Sequence, residues 1–261
     1  MQYVTRQDKD RVAWLTMTQP DSLNALSDGM IGALQDTLDS IADDQTISVV
    51  VIAGDGRAFC AGHDLREMQA ARQSPDKGAI ALADLFARCT KLMLRIQSLP
   101  QPVIAQVHGL AAAAGCQLVA TCDLAVAQED TKFGVNGINI GLFCSTPMVA
   151  LTRVIPRKQA FELLTTGRFA SASEAVALGL VNRTAPSGDL QQTTQTLAQT
   201  LASKRAGVVK IGKQAFYAQS ELGVEDAYAL TGKVMVENMS YDDTAEGIAA
   251  FLDKRPPNWT P

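Results

Sequence analysis

Two turns rich in small residues carry the chemistry that this sequence suggests. The first turn is residues 59–65, FCAGHDL, which follow the β-branched run SVVVIA at 48–53. The second turn is residues 111–116, AAAAGC, which follow the apolar run VIAQV at 103–107. A helix start leaves backbone N–H groups unpaired and partly positive, so two converging starts can hold an anionic oxygen that small side chains allow to approach. Close packing of a helix on a strand would explain either turn alone, whereas the pair favours an oxyanion site.

The composition argues against a nucleic-acid-binding role. The chain has 23 Lys and Arg against 27 Asp and Glu, a net charge of −4, and no basic block that could follow a phosphate backbone. Aromatic residues make up only 5%, so base-stacking platforms are scarce and Ala, Leu, Val and Ile must fill the core. With 261 residues, 47% of them hydrophobic, the chain is near the largest size that one core supports. We expect one compact domain with a helical appendage.

The cysteines and histidines indicate neither a disulfide framework nor a metal site. The five cysteines are odd in number, show no CxxC spacing and sit in apolar surroundings, which is typical of reduced thiols in a cytosolic protein. His63 and His108 have no HxxxH or HExxH neighbour. Residues 1–14 carry charges where a signal peptide needs an apolar stretch, and polar residues interrupt the most apolar window, 103–127. We therefore expect a cytoplasmic protein with no membrane span and no metal.

Alternating strand and helix patterns position the first turn. Residues 11–17 alternate as a strand does, after the polar turn QDKD, and residues 2–6 can pair with them as a hairpin. A helix is predicted from about Ser27, because apolar residues then recur at helical spacing. The continuous run at 48–53 predicts a strand covered on both faces. The helical apolar positions are Met30, Ile31, Leu34, Leu38 and Ile41.

The same alternation continues to the second turn and then gives way to helix. A long amphipathic helix ends before Pro100 and Pro102, and strands at 103–107 and 123–127 flank a short Ala-rich helix. Strand, helix and strand at these intervals predict a parallel α/β layer. After about residue 150 the pattern is nearly all helix, with a capping box SASE at 171–174.

The order and spacing of several motifs resemble the enoyl-CoA hydratase/isomerase family, the crotonase fold, along nearly the whole chain. The segments HDLREM at 63–68 and GLFCSTP at 141–147 resemble one particular branch of that family. The matching motifs are NAL at 24–26, AFCAGHDL at 58–65, PVIA at 102–105, HG at 108–109, GCQL at 115–118, CDL at 122–124, KFG at 132–134, LLTTG at 163–167, Ala175 with LGLV at 178–181, and AFLDKR at 250–255.

The resemblance implies an α/β spiral of ββα turns that binds acyl-CoA. Its core would span residues 1–195, and a helical region at 196–261 would mediate assembly into a homotrimer or a hexamer built as a dimer of trimers. By motif position, the backbone N–H groups of Ala61 and Ala114 would hold the thioester oxygen. A coenzyme A thioester is expected as substrate or ligand, and no other cofactor.

Further binding residues follow from the same resemblance. Ala25 and residues 61–64 would border the pantetheine and adenine of coenzyme A. Phe251 and Lys254 match positions that reach a neighbouring subunit's coenzyme A, and a solvated surface charge is the alternative for Lys254.

The chain departs from the family's hydratases at both catalytic glutamates. They place one directly after the Gly-Cys of the second turn, where this chain has Gln117, and the other four residues after the Phe of the Phe-Gly turn, where it has Gly137. An amide cannot transfer protons at neutral pH and glycine has no side chain. Each missing group removes help worth about 10²–10⁴-fold, so the sequence argues against ordinary hydratase activity.

Nearby residues offer partial substitutes. His63 could titrate near neutral pH, or its ring could pack against coenzyme A or an adjoining helix. Asp64 is expected to cap the helix that follows it. Cys144 could line the acyl pocket or be a buried structural thiol. Asn136 and Asn139 flank the missing second glutamate and could bond a polar acyl group without moving protons.

Two functions from different classes remain open at this point. An enzyme could use the oxyanion site to stabilise a thioester enolate, for example in decarboxylating a malonyl-type thioester, or in isomerisation with a substitute base. A catalytically silent acyl-CoA-binding or regulatory protein is the alternative, which Gln117 and Gly137 favour. The two turns fit both functions, since a fold does not determine a reaction.

Overall fold

The computed structural model describes residues 2–259, which form two compact units. The first unit ends at Ala202 and the second begins at Ser203. The boundary predicted at 195/196 lies inside the helix Leu190–Ala202, the last helix of the first unit.

The strands of the described chain all lie in the first unit and form two sheets. The larger sheet has the order β1-β2-β3-β4-β6-β9, in which β1 and β2 pair antiparallel and every other neighbouring pair is parallel. The smaller sheet has the order β5-β7-β8. The strands are β1 Val4–Lys9, β2 Val12–Met17, β3 Val49–Gly54, β4 Val103–Val107, β5 Leu110–Ala112, β6 Leu124–Gln128, β7 Lys132–Gly134, β8 Phe169–Ser171 and β9 Arg183–Ala185.

The helices cover the larger sheet in the first unit and make up the second unit. The described residues also form three short 3-10 helices that join the other elements: Pro20–Ser22, Asn136–Ile140 and Ser187–Asp189. The α-helices between residues 2 and 259 are α1 Asp28–Ala42, α2 Leu65–Ala71, α3 Ala79–Ser98, α4 Ala114–Thr121, α5 Ser145–Val154, α6 Arg157–Thr166, α7 Ala172–Leu178, α8 Leu190–Ala202, α9 Ala206–Ser220, α10 Val224–Met239 and α11 Asp242–Leu252.

The predicted N-terminal hairpin is confirmed, with a tighter turn than the sequence suggested. Asp10 and Arg11 have φ of 52° and 64°, and two residues at positive φ give a turn whose twist matches that of the paired strands. Most of the polar segment QDKD therefore lies in β1. The exposed side chains of an edge strand can be polar, because only the backbone pairs with β2.

The predicted first helix and the doubly covered strand are confirmed. The Ser27 hydroxyl accepts a hydrogen bond from Met30 N at 3.2 Å and so caps α1. On β3, Val50 and Ile52 pack into the core shared with α1, α3 and α4, while Val49 and Val51 pack with α8 on the other face. The helical apolar positions predicted for α1 are all buried.

The region after residue 150 differs from the predicted near-continuous helix at two short strands. The strands β8 and β9 have three residues each, which is too short to show a period-two pattern. The capping box is half formed. Ser171 accepts from Glu174 N at 3.2 Å, but the Glu174 carboxylate pairs with Arg168 at 2.6 Å instead of reaching back to the cap.

Candidate active site

The first turn follows β3 and is held in place by a buried asparagine. The Asn24 side chain, which is fully buried, donates to Asp55 O at 2.9 Å and to Ala58 O at 2.8 Å. Leu26, two residues further along, pairs with the middle of the turn, since its backbone N–H donates to Gly62 O at 2.7 Å. The NAL motif therefore positions the backbone of the first turn.

The second turn contains an unusual backbone conformation directly before α4. Ala113 has φ 48° and ψ −116°, which a residue with a side chain rarely adopts. Its N–H donates to Gly134 O at 2.8 Å, so the smaller sheet holds this conformation. Strained residues of this kind cost about 1–3 kcal/mol and concentrate at functional sites.

The two turns meet, as their order after adjacent strands suggested. Ala112 N donates to Cys60 O at 3.0 Å. A Cβ built at Gly62 would lie 3.0 Å from Ala112 O and 3.3 Å from Ala114 N, and one built at Gly115 would lie 2.2 Å from Cys60 O. Small residues are therefore required where the backbones pass each other.

The Ala61 N–H, the predicted oxyanion donor of the first turn, has an acceptor within the chain, and its role toward a thioester oxygen stays a prediction. It donates to Leu23 O at 3.0 Å as part of the pairing between the NAL segment and the turn. Across residues 2–259, no acceptor receives the backbone N–H of His63. Composition and spacing show no sign of this register, which depends on where the turn pairs with a distant segment.

The predicted donor of the second turn keeps a free N–H. Ala114 is the first residue of α4, so its N–H has no partner within the helix, and the described chain offers it no other acceptor. Each turn therefore keeps backbone N–H groups without an acceptor among the described residues, those of His63 and Ala114 among them.

The His63 ring packs on the adjoining helix, one of the alternatives considered for it. It makes an edge-to-face contact with Phe86 of α3 at 5.5 Å between centroids, and its Nδ1 lies 3.3 Å from Leu26 O. Burial lowers the pKa of His63, so the ring is neutral at neutral pH. Its Nε2 is buried and has no partner among the described residues.

Asp64 acts as the expected helix cap. Its carboxylate accepts from Arg66 N at 2.8 Å and from Glu67 N at 3.4 Å, at the start of α2. Two backbone bonds occupy this carboxylate, which leaves it poorly suited to moving protons in the site.

Gln117 lies within α4, one turn after Ala114, and is 5% exposed. Its Oε1 is buried and finds no hydrogen-bond partner in residues 2–259. Gln117 is three residues after Ala114, so the two residues share a face of α4.

Gly137 lies in the 3-10 helix Asn136–Ile140 and has no room for a side chain. A Cβ at this position would lie 2.3 Å from Leu142 O and 2.9 Å from Cys144 Sγ. Leu142 N donates to Gly137 O at 2.9 Å, which holds the loop against it. Burial raises the pKa of Cys144, so the thiol is poorly reactive and the structural alternative is favoured.

The two asparagines that flank Gly137 lie in different surroundings. Asn139 is exposed and donates to Gly167 O at 3.2 Å, at the end of α6. Asn136 is half-buried, and no hydrogen bond to its side chain occurs in the part of the chain that the structure describes. The Asn136 side chain therefore has its full hydrogen-bonding capacity, whereas one N–H of Asn139 is used by Gly167 O.

The remaining predicted binding residues belong to different units. Ala25 is buried in the first unit, next to the pairing of the NAL segment with the first turn. Phe251 ends in solvent, 83% exposed, near the end of α11, and Lys254 follows it, also exposed and with φ 55°. Their roles toward coenzyme A stay predictions.

Residues 2–259 contain neither a cluster of metal-ligating side chains nor a candidate membrane-spanning helix. The described His, Cys, Asp and Glu side chains form no group of three or more that could hold a metal ion. None of the helices described there combines the length and apolar character that crossing a membrane requires.

Comparison with known proteins defines the class. The Enoyl-CoA hydratase/isomerase family model matches residues 7–261. A crystal structure titled enoyl-CoA hydratase, from Mycobacterium smegmatis, superposes with a TM-score of 0.95 at 48% identity, covering 99% of each chain. The chain belongs to the enoyl-CoA hydratase/isomerase family, and the predicted crotonase fold is confirmed.

Within the family, the similarity extends to the branch that residues 63–68 and 141–147 predicted. Human enoyl-CoA hydratase domain-containing protein 3, mitochondrial, is 44% identical over 251 residues, covering 96% of this chain and 81% of the human protein. The crystal structure of the human protein has a TM-score of 0.93 at 41% identity and covers 99% of this chain and 100% of that chain.

The predicted cytoplasmic location is contradicted by these relatives. The human protein and its counterparts from Xenopus laevis and Mus musculus are all named mitochondrial, which points to a mitochondrial location instead. The prediction relied in part on reduced cysteines, and all five cysteines are indeed buried without a disulfide. Buried free thiols do not distinguish one compartment from another, so they could not support a cytoplasmic location.

Proposed function

We propose that this protein binds acyl-CoA thioesters through the two turns and does not hydrate enoyl-CoA at ordinary enzyme rates. One observation carries the proposal: each turn keeps unpaired backbone N–H groups, including those of His63 and Ala114, but the site has no carboxylate at either glutamate position. Backbone donors can hold a thioester oxygen without any proton transfer. Hydration also needs one group to activate water and another to supply the proton.

The packing around Gly137 supports the second part of the proposal, the absence of hydration at ordinary enzyme rates. Leu142 O and Cys144 Sγ occupy the space in which a side chain at 137 would begin. The second carboxylate is therefore excluded by the loop and is not merely substituted. Position 117 differs, because glutamine and glutamate have nearly the same shape.

A second candidate function, thioester enolate chemistry, has one observation in its favour. His63 Nε2 is buried and unpartnered, and the ring is neutral. A neutral imidazole nitrogen can accept a proton, so His63 could replace a carboxylate base in an isomerisation. The silent binding protein is better supported, since no described proton donor completes a pair with it.

Self-association is part of the proposal and rests on the second unit. Its long helix α10 has no buried residue, and Val224, Tyr228 and Val236 are 73–77% exposed. Apolar faces of this size usually cover another protein surface. We propose a second copy of this chain as the partner, in a trimer or a dimer of trimers.

Thermal unfolding with added thioesters tests the binding. The melting temperature should rise with the concentration of acetyl-, crotonyl- and longer acyl-CoA, because a ligand that binds only the folded state stabilises it. An unchanged melting temperature at millimolar thioester concentrations would contradict the proposed function as a whole.

Crotonyl-CoA hydration tests the absence of turnover. The wild-type kcat should fall below the ordinary range of roughly 1–10³ s⁻¹. Gln117→Glu should raise the rate by about 10²-fold, whereas Gly137→Glu should not, because its side chain meets Leu142 O. Gln106→Glu, on the other face of the sheet, is the matched control. Wild-type hydration within the ordinary range would contradict the proposal.

A further inference from the structure

A cavity of about 270 Å³ lies in the first unit, on the face of the larger sheet that packs with α8. Part of its lining is a row across three strands, because Thr16 on β2 pairs with Ala53 on β3, and Ala53 pairs with Gln106 on β4. Two positions earlier on β3 and β4, Val51 and Ile104 belong to the apolar cluster under α8. Helix α4, which follows the second turn, packs on the opposite face of the sheet. The cavity is therefore separate from the two turns.

Five glutamines line this cavity, and none of their side chains makes a hydrogen bond within residues 2–259. Gln106 Oε1 is buried, and a buried acceptor without a hydrogen bond costs stability. Gln191, Gln195 and Gln199 recur every four residues and so lie on one face of α8. The fifth, Gln7 on β1, pairs in register with Trp14 on β2. The cavity thus offers several unused amides to a ligand.

The rim of the cavity indicates the charge and size of that ligand. Gln7, Lys9 and Asp10 line it and are exposed, so the cavity opens to solvent and a ligand can enter. Lys9 and Asp10 supply one positive and one negative charge, which gives no net attraction for a phosphate or another anion. The volume lies just below the roughly 300–1,000 Å³ of sites for drug-sized ligands. These observations favour a small neutral molecule.

The mixture of amides with one tryptophan favours a sugar over a nucleobase. Trp14 lines the cavity and packs against the apolar cluster under α8. A pyranose ring has an apolar C–H face that can lie on an indole, and hydroxyls around its edge that each donate and accept hydrogen bonds. A nucleobase has two apolar faces to cover, whereas the α8 side of this cavity presents glutamines.

We propose that this cavity binds a neutral pyranose monosaccharide, with Gln106 and Gln195 as hydrogen-bonding residues and Trp14 as the surface for its C–H face. A sugar hydroxyl donates to Gln106 Oε1 and can accept from the N–H of another amide, so one hydroxyl satisfies groups on the sheet and on the helix. The site lies outside the acyl-CoA function proposed above and does not rest on it.

Trp14 fluorescence reports the binding once the other tryptophan is removed. The chain has two tryptophans, so Trp259→Phe leaves Trp14 as the reporter. Titration with D-glucose, D-galactose and D-mannose should give a saturable change for at least one sugar, with a Kd of about 1 mM for a ligand of this size. L-Glucose, the control for effects of sugar on the solvent, should give no saturation. Isothermal titration of the wild-type protein should give the same Kd, and it replaces the fluorescence if Trp259→Phe fails to fold.

Three results of these titrations would overturn the proposal. The first is no saturable response to any of the D-sugars. The second is an equal response to L-glucose, which would show an effect of the solvent alone. The third is saturation by adenosine with no saturation by the sugars, which would assign the cavity to a nucleobase.

Variants assign the binding to the cavity. Gln106→Met and Gln195→Met keep the side-chain length and remove the amide, so each should weaken sugar binding about tenfold. Gln192→Met is the matched control, because Gln192 is exposed on the same helix, bonds Thr196 Oγ1 at 3.4 Å and does not line the cavity. This control should keep the wild-type Kd. Unchanged affinity in both cavity variants, or an equal loss in Gln192→Met, would contradict the proposed site.

Discussion

The helices α4 and α10 show how differently the two units bury their helical residues. Every residue of α4 in the first unit is buried, whereas none of the sixteen residues of α10 in the second unit is. The first unit is specified by contacts within one chain. The second leaves large side chains such as Tyr228 and Val236 in solvent, which is the surface on which we propose that a second copy packs.

The glycines of the two units repeat the same contrast. Gly115 in α4 faces the backbone of the first turn, and its Cβ would lie 2.2 Å from Cys60 O. Gly212 in α9 is exposed, and no described atom lies within 4 Å of where its Cβ would be. Glycine is therefore required at 115 for close approach, and 212 shows no such requirement.

The largest expected effect is on the stability of the first unit. Gly115→Ala should lower the free energy of unfolding by about 3 kcal/mol, because a backbone oxygen cannot move aside without shifting the turn. Gly212→Ala should raise it by about 0.5–1 kcal/mol, the helix propensity difference. Urea unfolding followed by circular dichroism measures both. If Gly115→Ala lowered the free energy of unfolding by much less than this, the two turns would be able to move apart. If Gly212→Ala lowered it instead of raising it, position 212 of α9 would be packed against a partner.

The second effect concerns assembly. Introducing charge on α10 with Tyr228→Glu and Val236→Glu together should weaken self-association by about 100-fold or more, since central contacts of an interface are commonly worth 2 kcal/mol or more. Ile80 is 79% exposed in the first unit, so Ile80→Glu is the control and should change nothing. Sedimentation velocity over a concentration series gives the result. An unchanged oligomer in the double variant would place the interface elsewhere.

The predictable parts of the molecule were those with a strong local period. The apolar spacing after Ser27 and the run at 103–107 correspond closely to α1 and β4. The meeting of the two turns was also predictable, since both follow neighbouring parallel strands. These features depend on residues within one element or on the order of elements.

The unpredicted parts depend on contacts between distant segments. The Ala61 N–H donates to Leu23 O because the first turn pairs with the segment before α1 in a register that sequence spacing does not reveal. The exclusion of a side chain at Gly137 comes from Leu142 O and Cys144 Sγ, one loop further along. The acceptors left without partners at His63 and Gln117 emerge only when all neighbours are in place.

Helix caps provide a smaller test of the contrast between the units. Asp64 caps α2 in the first unit with two backbone bonds, so Asp64→Ala should cost about 1 kcal/mol and Asp64→Asn much less. Gly223 precedes α10 with an extended backbone and no side-chain cap. Gly223→Asp should therefore stabilise the second unit by about 0.5 kcal/mol. Thermal unfolding of the three variants checks the signs, and a stabilising Asp64→Ala would contradict the assigned cap.

The smallest expected effect is a pH dependence at the end of the second unit. Glu246 on α11 accepts from both terminal nitrogens of Arg255, at 2.7 and 3.0 Å, and from Asn258 N. The Arg255 guanidinium, and next the Asn258 N–H, lower the pKa of Glu246 from its ordinary value of 4.5 to about 2. Because the folded pKa is lowered, these bonds are fully present above pH 4.5 and are lost as the pH falls towards 2.

Amide hydrogen exchange of Asn258 measures this loss directly. After correction for the intrinsic rate, its protection should decrease between about pH 4.5 and 2, with no matching change in the amides of α4. Glu246→Gln removes the titration, so protection in this variant should be low and independent of pH over the same range. The side chains of Arg255 and Glu246 both contact solvent, at 40% and 25% exposure, and screening by water and salt keeps the effect local. Protection that stays constant to pH 2 in the wild-type protein would show that the 255–258 segment is held by contacts other than the Glu246 carboxylate.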